Sequence, residues 1–326
     1  PLRLSVGEYQ MTVIHACGSF HIPTPNQAQE FLAWHGPRPD ADAADGYLLE
    51  YEAPCLRSVL GRCGYAMAHD ELRPAMNGVY VNLTDEHADY VSSDGHKLVQ
   101  VRKSPVLHGK YAMQVSFIIP LRVVEILLRI LPRTGDVAIE YQKELIEERK
   151  HIRNGKEETE KVSVRKAQAR IVIDERLAVT FWPVDSRYPA YWNVIPPSHL
   201  FKMSVDRRLL IKSLDRLTLF SSQSGLVVLT VSEDAALRLN AKDADYELAA
   251  EEKMPCEFSK IDGGTLCSPY KIGVKGVSLC EMLKVLQSEK VVLLMGEASR
   301  AVIVQPSSQP DTEELTMLLM PMIIQD

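Results

Sequence analysis

The sequence is 326 residues long, 46% hydrophobic and 25% charged, with a formal charge of −6. It is too long for one typical core and points to two or three domains of an ordinary soluble globular protein. The acidic balance argues against a simple basic nucleic-acid binder, although it is compatible with a local basic face.

The chain begins at Pro1 rather than Met and reads as strand from position 2, which points to a cut chain. LRLSVGEYQMTVI (2–14) has the pattern strand, tight Gly-Glu turn, strand. PCLRSVLGRCG (54–64) reads as a helix, and NGVYVNL and ADYVSS as short alternating strands. In YVSSDGHKLV (90–99) two apolar runs flank Ser-Asp-Gly-His-Lys. Asp94-Gly95 suits a turn, but a plain hairpin does not need His96, Lys97 and Leu98 next, so a catalytic loop and a pocket rim are alternatives. PLRVVEILLRIL (120–131) is a second helix; the apolar stretch from 117 is broken by Arg122, Glu125 and Arg129 and cannot cross a bilayer cheaply.

Residues 142–168 are dense in charge around Asn154-Gly155 and read as a solvated β-ribbon or a charged loop. ARIVIDERLAVTF (169–181) is a loose copy of the opening hairpin, and VVLLMGEASRAVIV (291–304) a close one. Between them, RYPAYWNVIPP (187–197) looks like a rigid connection. Helices at 205–219 and 276–287, with the strands GLVVLTV and ALRLNA, rebuild the earlier order. TMLLMPMIIQD (316–326) closes the chain as an apolar strand, and Pro321 predicts an edge or a tail.

Each unit therefore holds two helices and several antiparallel strands, an α+β repeat. The expected domains are 1–46, the end of a first repeat without its helices; 47–196, a second repeat carrying the charged hairpin insertion 142–168; and 197–326, a third. The alternative for the first segment is a short hairpin decorating a two-domain protein.

Catalytic signatures are absent. The sequence has no GxxxxGK[ST], GxGxxG, HExxH or GxSxG, and its nine histidines never fall at metal-ligand i, i+4 spacing. No catalytic residue, metal or cofactor is expected. Asp94 and His96 would diverge on a turn and lack an orienting third group. The six cysteines, Cys17, Cys55, Cys63, Cys256, Cys267 and Cys280, contain no CxxC or zinc-like grouping, as for reduced thiols in a cytoplasmic protein. The helices, by contrast, concentrate cations. Arg208, Lys212 and Arg216 fall at i, i+4, i+8; Arg122 and Arg129 share a face; Arg57 and Arg62 stand on a helix with no acid. They could line a surface for a polyanion, or be ordinary helix-forming surface residues.

Three stretches together, NGVYVNLTDEHADYVSSDGHKLV (77–99), YPAYWNVIP (188–196) and LLMPM (318–322), resemble the bacterial β sliding clamp, the processivity subunit of replicative DNA polymerase. The similarity runs in order from about residue 49 to 324, and the opening hairpin looks like the end of the clamp's first domain. The resemblance implies crescent subunits of repeated domains that pair into a ring, helices lining the hole and sheets outside. It implies a cytoplasmic, non-enzymatic processivity factor that encircles duplex DNA without reading sequence and slides. Partners implied are the DNA polymerase III alpha subunit, the clamp loader complex, and other polymerases and repair proteins with clamp-binding peptides. A homodimer ring is implied when domain I is present, and no membrane.

The resemblance also implies a hydrophobic groove between the second and third domains, at Met76, Ser93, Gly95, His96, Lys97, Leu98, Pro189, Asn193, Val194, Leu318, Leu319, Met320, Pro321 and Met322. Leu98, Val194, Leu318 and Met320 would form apolar walls for leucine or phenylalanine anchors. Gly95 would admit peptide backbone, and His96, Lys97 and Asn193 would give polar edges. Family members often carry Arg at the positions of Lys97 and Asn193, and a basic residue where Ile323 stands, so a preference for less acidic peptides follows. DNA contacts would come from His69 and Arg73, in a loop near duplex DNA, and from Arg57, Arg62, Arg122, Arg129, Arg208, Lys212, Arg216 and Lys275. Two rival readings are a repeat-built peptide-binding scaffold that never encircles DNA, and a hydrolase using Asp94 and His96.

Overall fold

A computed structural model describes the chain except residues 1, 8–9, 24–45, 85, 105–114, 154–155, 232–235, 262–268 and 325–326. It forms two compact units, Pro1–Gly36 and Pro37–Asp326. The first is an antiparallel three-stranded meander of β1 (Arg3–Val6), β2 (Gln10–His15) and β3 (Gly18–Pro23).

The second unit contains two repeats. In the central one, β4 (Gly46–Glu52) runs directly into α1 (Ala53–Gly64). Pro54 suits the first helical turn, where its missing N–H costs nothing. Leu56, Val59, Leu60 and Cys63 recur at helical spacing and are buried. Each such leucine removed from water stabilises by at most about 2–3 kcal/mol. Strands β5 (Gly78–Leu83), β6 (Ala88–Ser93), β7 (Lys97–Lys103) and β8 (Val115–Pro120) follow, then α2 (Leu121–Ile130) and β9 (Asp136–Gln142). The charged segment forms β10 (Leu145–Arg153) and β11 (Lys156–Arg165), an antiparallel ribbon with its own two-stranded sheet. Its expected turn, Asn154-Gly155, lies outside the described residues. The repeat ends with β12 (Gln168–Val172) and β13 (Ala178–Phe181).

The C-terminal repeat has the same order without the ribbon. β14 (Phe201–Asp206) enters α3 (Arg207–Leu217), whose first turn is capped by the Asp206 carboxylate accepting from Leu209 N–H at 2.8 Å. Then come β15 (Leu226–Val231), β16 (Ala236–Asp243), β17 (Leu248–Lys260), β18 (Tyr270–Lys275), α4 (Gly276–Lys284), β19 (Lys290–Met295), β20 (Val302–Pro306) and β21 (Glu313–Leu319).

The strands form a four-stranded sheet, β13-β12-β9-β4, and a twelve-stranded sheet, β18-β15-β16-β17-β14-β19-β20-β21-β7-β6-β5-β8. Helices pack in pairs, α1 on α2 and α3 on α4, over one apolar core that runs through both repeats.

Three sequence expectations need correction. The run β13-β12-β9-β4 mirrors β21-β20-β19-β14, so 169–181 holds the place of β20–β21 rather than of 291–304. The ribbon inserted between β9 and β12 displaced the match by one strand. The 291–304 hairpin has no tight two-residue turn: Leu294 pairs with Ile303, and the connection bends through Arg300 N–H to Glu297 O at 2.9 Å. Finally, of the edge or tail expected at Pro321, the edge does not hold and the residues from Met320 leave the ladder as a tail. Strand β21 pairs with β20 and β7 and stops at Leu319, before Pro321 would interrupt the ladder.

Candidate functional site at the seam between the repeats

The repeats are fused where β21 pairs antiparallel with β7, from Glu313 opposite Lys103 to Leu319 opposite Lys97. Leu98 and Leu318 are cross-strand partners. Past the ladder, Met320 N–H donates to His96 O at 2.8 Å and Met322 N–H to Gly273 O at 2.8 Å. Gly273 permits that crossing, because a Cβ there would stand 2.6 Å from Met322 O.

Residues 93–97 make the tight connection between β6 and β7. The Asp94 carboxylate accepts from the backbone N–H groups of His96 (2.8 Å) and Lys97 (2.9 Å). Ser93 Oγ accepts from Gly95 N–H at 3.1 Å and donates to Lys97 O at 2.9 Å. Gly95 has φ +90°, a conformation glycine adopts cheaply. Asp94 is thus a turn-former whose backbone loop captures the chain's final segment.

Strand alternation gives the seam two different faces. On the face away from the helices, Leu98, Val91 and Ile118 meet Leu318, Ile303 and Ala301 in a second apolar cluster, joined by Tyr188 and Tyr191 of the inter-repeat connection. That connection is anchored by stacking of Tyr188 on Tyr80, centroids 4.7 Å apart, and by Tyr191 Oη donating to the buried Asp89 carboxylate at 3.3 Å. Arg102 neutralises Asp89 through bonds of 2.8 and 3.0 Å. Leu98 (3% exposed) and Leu318 (2%) are the floor of this region rather than its walls, while Val194 (52%) and Met320 (40%) are open to a ligand. His96, Pro189 and Asn193 are exposed, and Met76, Pro321 and Met322 half-buried.

Lys97 and Leu319, expected in the groove, face the helices instead, because they alternate with Leu98 and Leu318. Leu319 joins the main core. Lys97 Nζ lies 2.6 Å from Glu281 Oε2 on α4, 3.7 Å from Asp94 Oδ2, and 5.5 Å from the Tyr65 ring centre. Ser93 is buried and engaged within its turn. Gly95 is exposed, and the tip of Arg73 lies beside it: a Cβ there would be 2.6 Å from Arg73 Nη1. Arg73, assigned to DNA from sequence, therefore sits against the histidine loop, with its Nε 2.7 Å from Asp70 Oδ2. Tyr188, Tyr191, Arg73 and Glu281 are residues whose part in this region sequence reasoning missed. The three-aromatic composition of 187–197 was the available signal for the first two.

The helix cations divide in two. Arg57 donates to Leu131 O at 2.9 Å, Arg62 pairs with the buried Glu313, and Arg216 grips Glu252 with two bonds of 2.6 Å. Among the candidate DNA contacts, these three are already engaged within the fold, Arg216 at a largely exposed position. Among the described residues, Arg122 pairs with Glu125 at 3.3 Å, on an exposed surface. Arg129, Arg208, Lys212, Lys275 and His69 are exposed.

Burial pushes the Glu313 carboxyl upward, but bonds from Lys103 and Arg62 outweigh it and hold the group below the ordinary glutamate value. This end of the seam borders a cavity of about 800 Å³ that includes none of the expected groove residues. Among the described residues, no group of three or more His, Cys, Asp and Glu could hold a metal, and no helix is long and apolar enough to cross a membrane. Cys17, Cys55, Cys63, Cys256 and Cys280 carry free thiols; Cys267 lies outside the described residues.

Two helix–sheet repeats fused through a shared sheet, with an apolar cluster on the outer side of the fusion, define a repeat-built clamp architecture. Family models agree: residues 51–190 match the central domain of the DNA polymerase III beta subunit and residues 192–322 its C-terminal domain. The chain is 23% identical over 268 residues to the beta sliding clamp of Pseudomonas aeruginosa, covering 82% of this chain and 63% of that protein. It is 22% identical over 324 residues to that of Synechococcus elongatus, covering 98% and 72%. The solved DNA polymerase III beta subunit of Thermotoga maritima superposes with a TM-score of 0.74 at 19% identity, covering 99% of this chain and 76% of that one. The chain belongs to the DNA polymerase III beta subunit family, and it spans under two thirds of the Pseudomonas relative's length.

Proposed function

We propose that this protein is a DNA sliding clamp, a non-enzymatic processivity factor of the cytoplasm that encircles duplex DNA and tethers the replicative polymerase. Its central and C-terminal domains are 47–196 and 197–326. The observation that carries the reading is the β7–β21 seam, which brings the histidine loop, the tyrosine connection and the final methionines to one place.

Partner peptides lay apolar side chains over Leu98 and Leu318, between Val194 and Met320. Gly95, His96, Pro189, Asn193, Met76, Pro321 and Met322 complete the rim, with Arg73 supplying the cation that Lys97 does not. On the other side Arg122, Arg129, Arg208, Lys212 and Lys275 meet phosphates without reading bases. Retention comes from topology, since a closed ring cannot leave a circle while weak mobile contacts let it slide. A ring of two copies, opened and placed by a clamp loader, and peptide-bearing polymerases and repair proteins are the partners this function requires.

The test is retention of the full-length protein, loaded onto nicked circular duplex, before and after the circle is cut. Persistence on the circle and rapid loss from the linear product are expected. Equal retention on both would overturn encirclement.

A further inference from the structure

Ion pairs pin both ends of the β7–β21 ladder. At one end Glu313, with only 7% of its side chain exposed, pairs with Arg62 of α1 and Lys103 of β7. At the other, Lys97 of β7 reaches across to Glu281 of α4 at 2.6 Å, steadied by Asp94 and by the Tyr65 ring. Tyr65 Oη itself donates to Met317 Sδ of β21 at 3.2 Å, so the same corner ties helix, strand and opposite repeat together.

The two ends differ in what stands on the far side of the sheet. Lys97 lies between His96, whose carbonyl holds Met320 N–H, and Leu98, which floors the proposed groove. Lys103 lies six residues further along β7, about 20 Å away at strand spacing. A strand is stiff across its own thickness, so fixing the Lys97 side chain fixes the backbone that shapes the opposite face.

We propose that Lys97 and Glu281 are positioning residues of the peptide groove, a strut that holds the His96–Leu98 backbone in register with Leu318–Met320. The inference rests on the groove reading. It implies that peptide affinity depends on Glu281, a helix residue on the face opposite the peptide. The strut costs little to keep, because Glu281 is 41% exposed and only the lysine has been drawn out of water. A site whose supporting shell is loosened binds less well even when every contacting side chain is intact.

The experiment measures binding of a short fluorescent peptide ending in Leu-Phe by anisotropy, with thermal unfolding in parallel. Glu281→Gln and Lys97→Met should each weaken binding about tenfold, with the double variant no worse than the worse single one. Lys97→Arg should restore most of the affinity. Glu313→Gln, at the far end of the same ladder, should lower the unfolding midpoint and leave affinity unchanged.

Unchanged affinity in Glu281→Gln would overturn the strut, and loss in Lys97→Met alone would mean that Lys97 touches the peptide. Equal loss of affinity in Glu313→Gln would reduce the effect to general seam stability and overturn positioning. Should Lys97→Met fail to fold, Glu281→Gln at its half-exposed site still decides. Failure of the wild-type protein to bind any such peptide would overturn the groove reading itself, an outcome distinct from the others.

Discussion

The two faces of the seam are made by the same few residues and do opposite things. On the outer face Leu98 meets Leu318 and the tyrosines of the connection, leaving Val194 and Met320 unfinished as an apolar rim. On the helix face, one residue along each strand, Lys97 and Leu319 close inward onto α4 and the main core. A period of two turns neighbouring residues of each strand to opposite sides, one toward the proposed binding surface and one toward the helices. Side-chain identity at 97–98 and 318–319 has meaning only once the face is known.

The comparison can be broken most sharply on the outer face. Leu98→Glu with Met320→Glu places two carboxylates on an apolar floor and rim, and should weaken peptide binding more than about a hundredfold while DNA retention is unchanged. Anisotropy of labelled peptide measures the first and circular-duplex retention the second.

The next largest effect lies in the seam. Glu313→Ala leaves Arg62 and Lys103 without their buried partner and should cost about 3–5 kcal/mol in urea unfolding. The same carboxyl gives a pH signature. Its folded pKa lies below the ordinary 4.5, so its contribution is fully present above that value and is lost as pH falls through the lower folded one. The wild-type protein should lose stability more steeply below pH 4.5 than Glu313→Gln does, as unfolding titrations would show.

A helix-face test sharpens the distinction between bound and free cations. Arg208→Ala with Lys212→Ala should lower the slope of log affinity against log salt by about two, and leave peptide binding unaffected. Arg216→Ala, whose guanidinium already belongs to Glu252, should change that slope little. The smallest effect is expected at Asp206→Ala, which removes the α3 cap and should cost about 1 kcal/mol without touching either face.

Much of this was legible in the sequence, and for identifiable reasons. Helical spacing at Leu56, Val59, Leu60 and Cys63 announced α1, and alternation announced the strands, since both patterns are local. The SDGHKL turn and the LLMPM end were recognised as belonging together only through the family resemblance. Their contact spans residues far apart in the chain, which no local period can report. For the same reason nothing in the sequence signalled that Arg62 pairs with Glu313 or that Arg73 lies beside Gly95. Strand face was misjudged for Lys97 and Leu319 because a short motif does not state which of its two sides is outward. The ribbon at 145–165 shifted the repeat match by one strand, which only the sheet order corrected.

The proposed function places peptide on the outer side of the seam and DNA on the exposed helix cations, so the two ligands should bind without competing. Titrating the Leu-Phe peptide into full-length protein already loaded on closed circular duplex tests it most directly. Peptide should saturate the loaded protein with the affinity it has for the free protein, and the circle should stay occupied. Displacement of the protein by peptide, or loss of peptide binding on the circle, would contradict it.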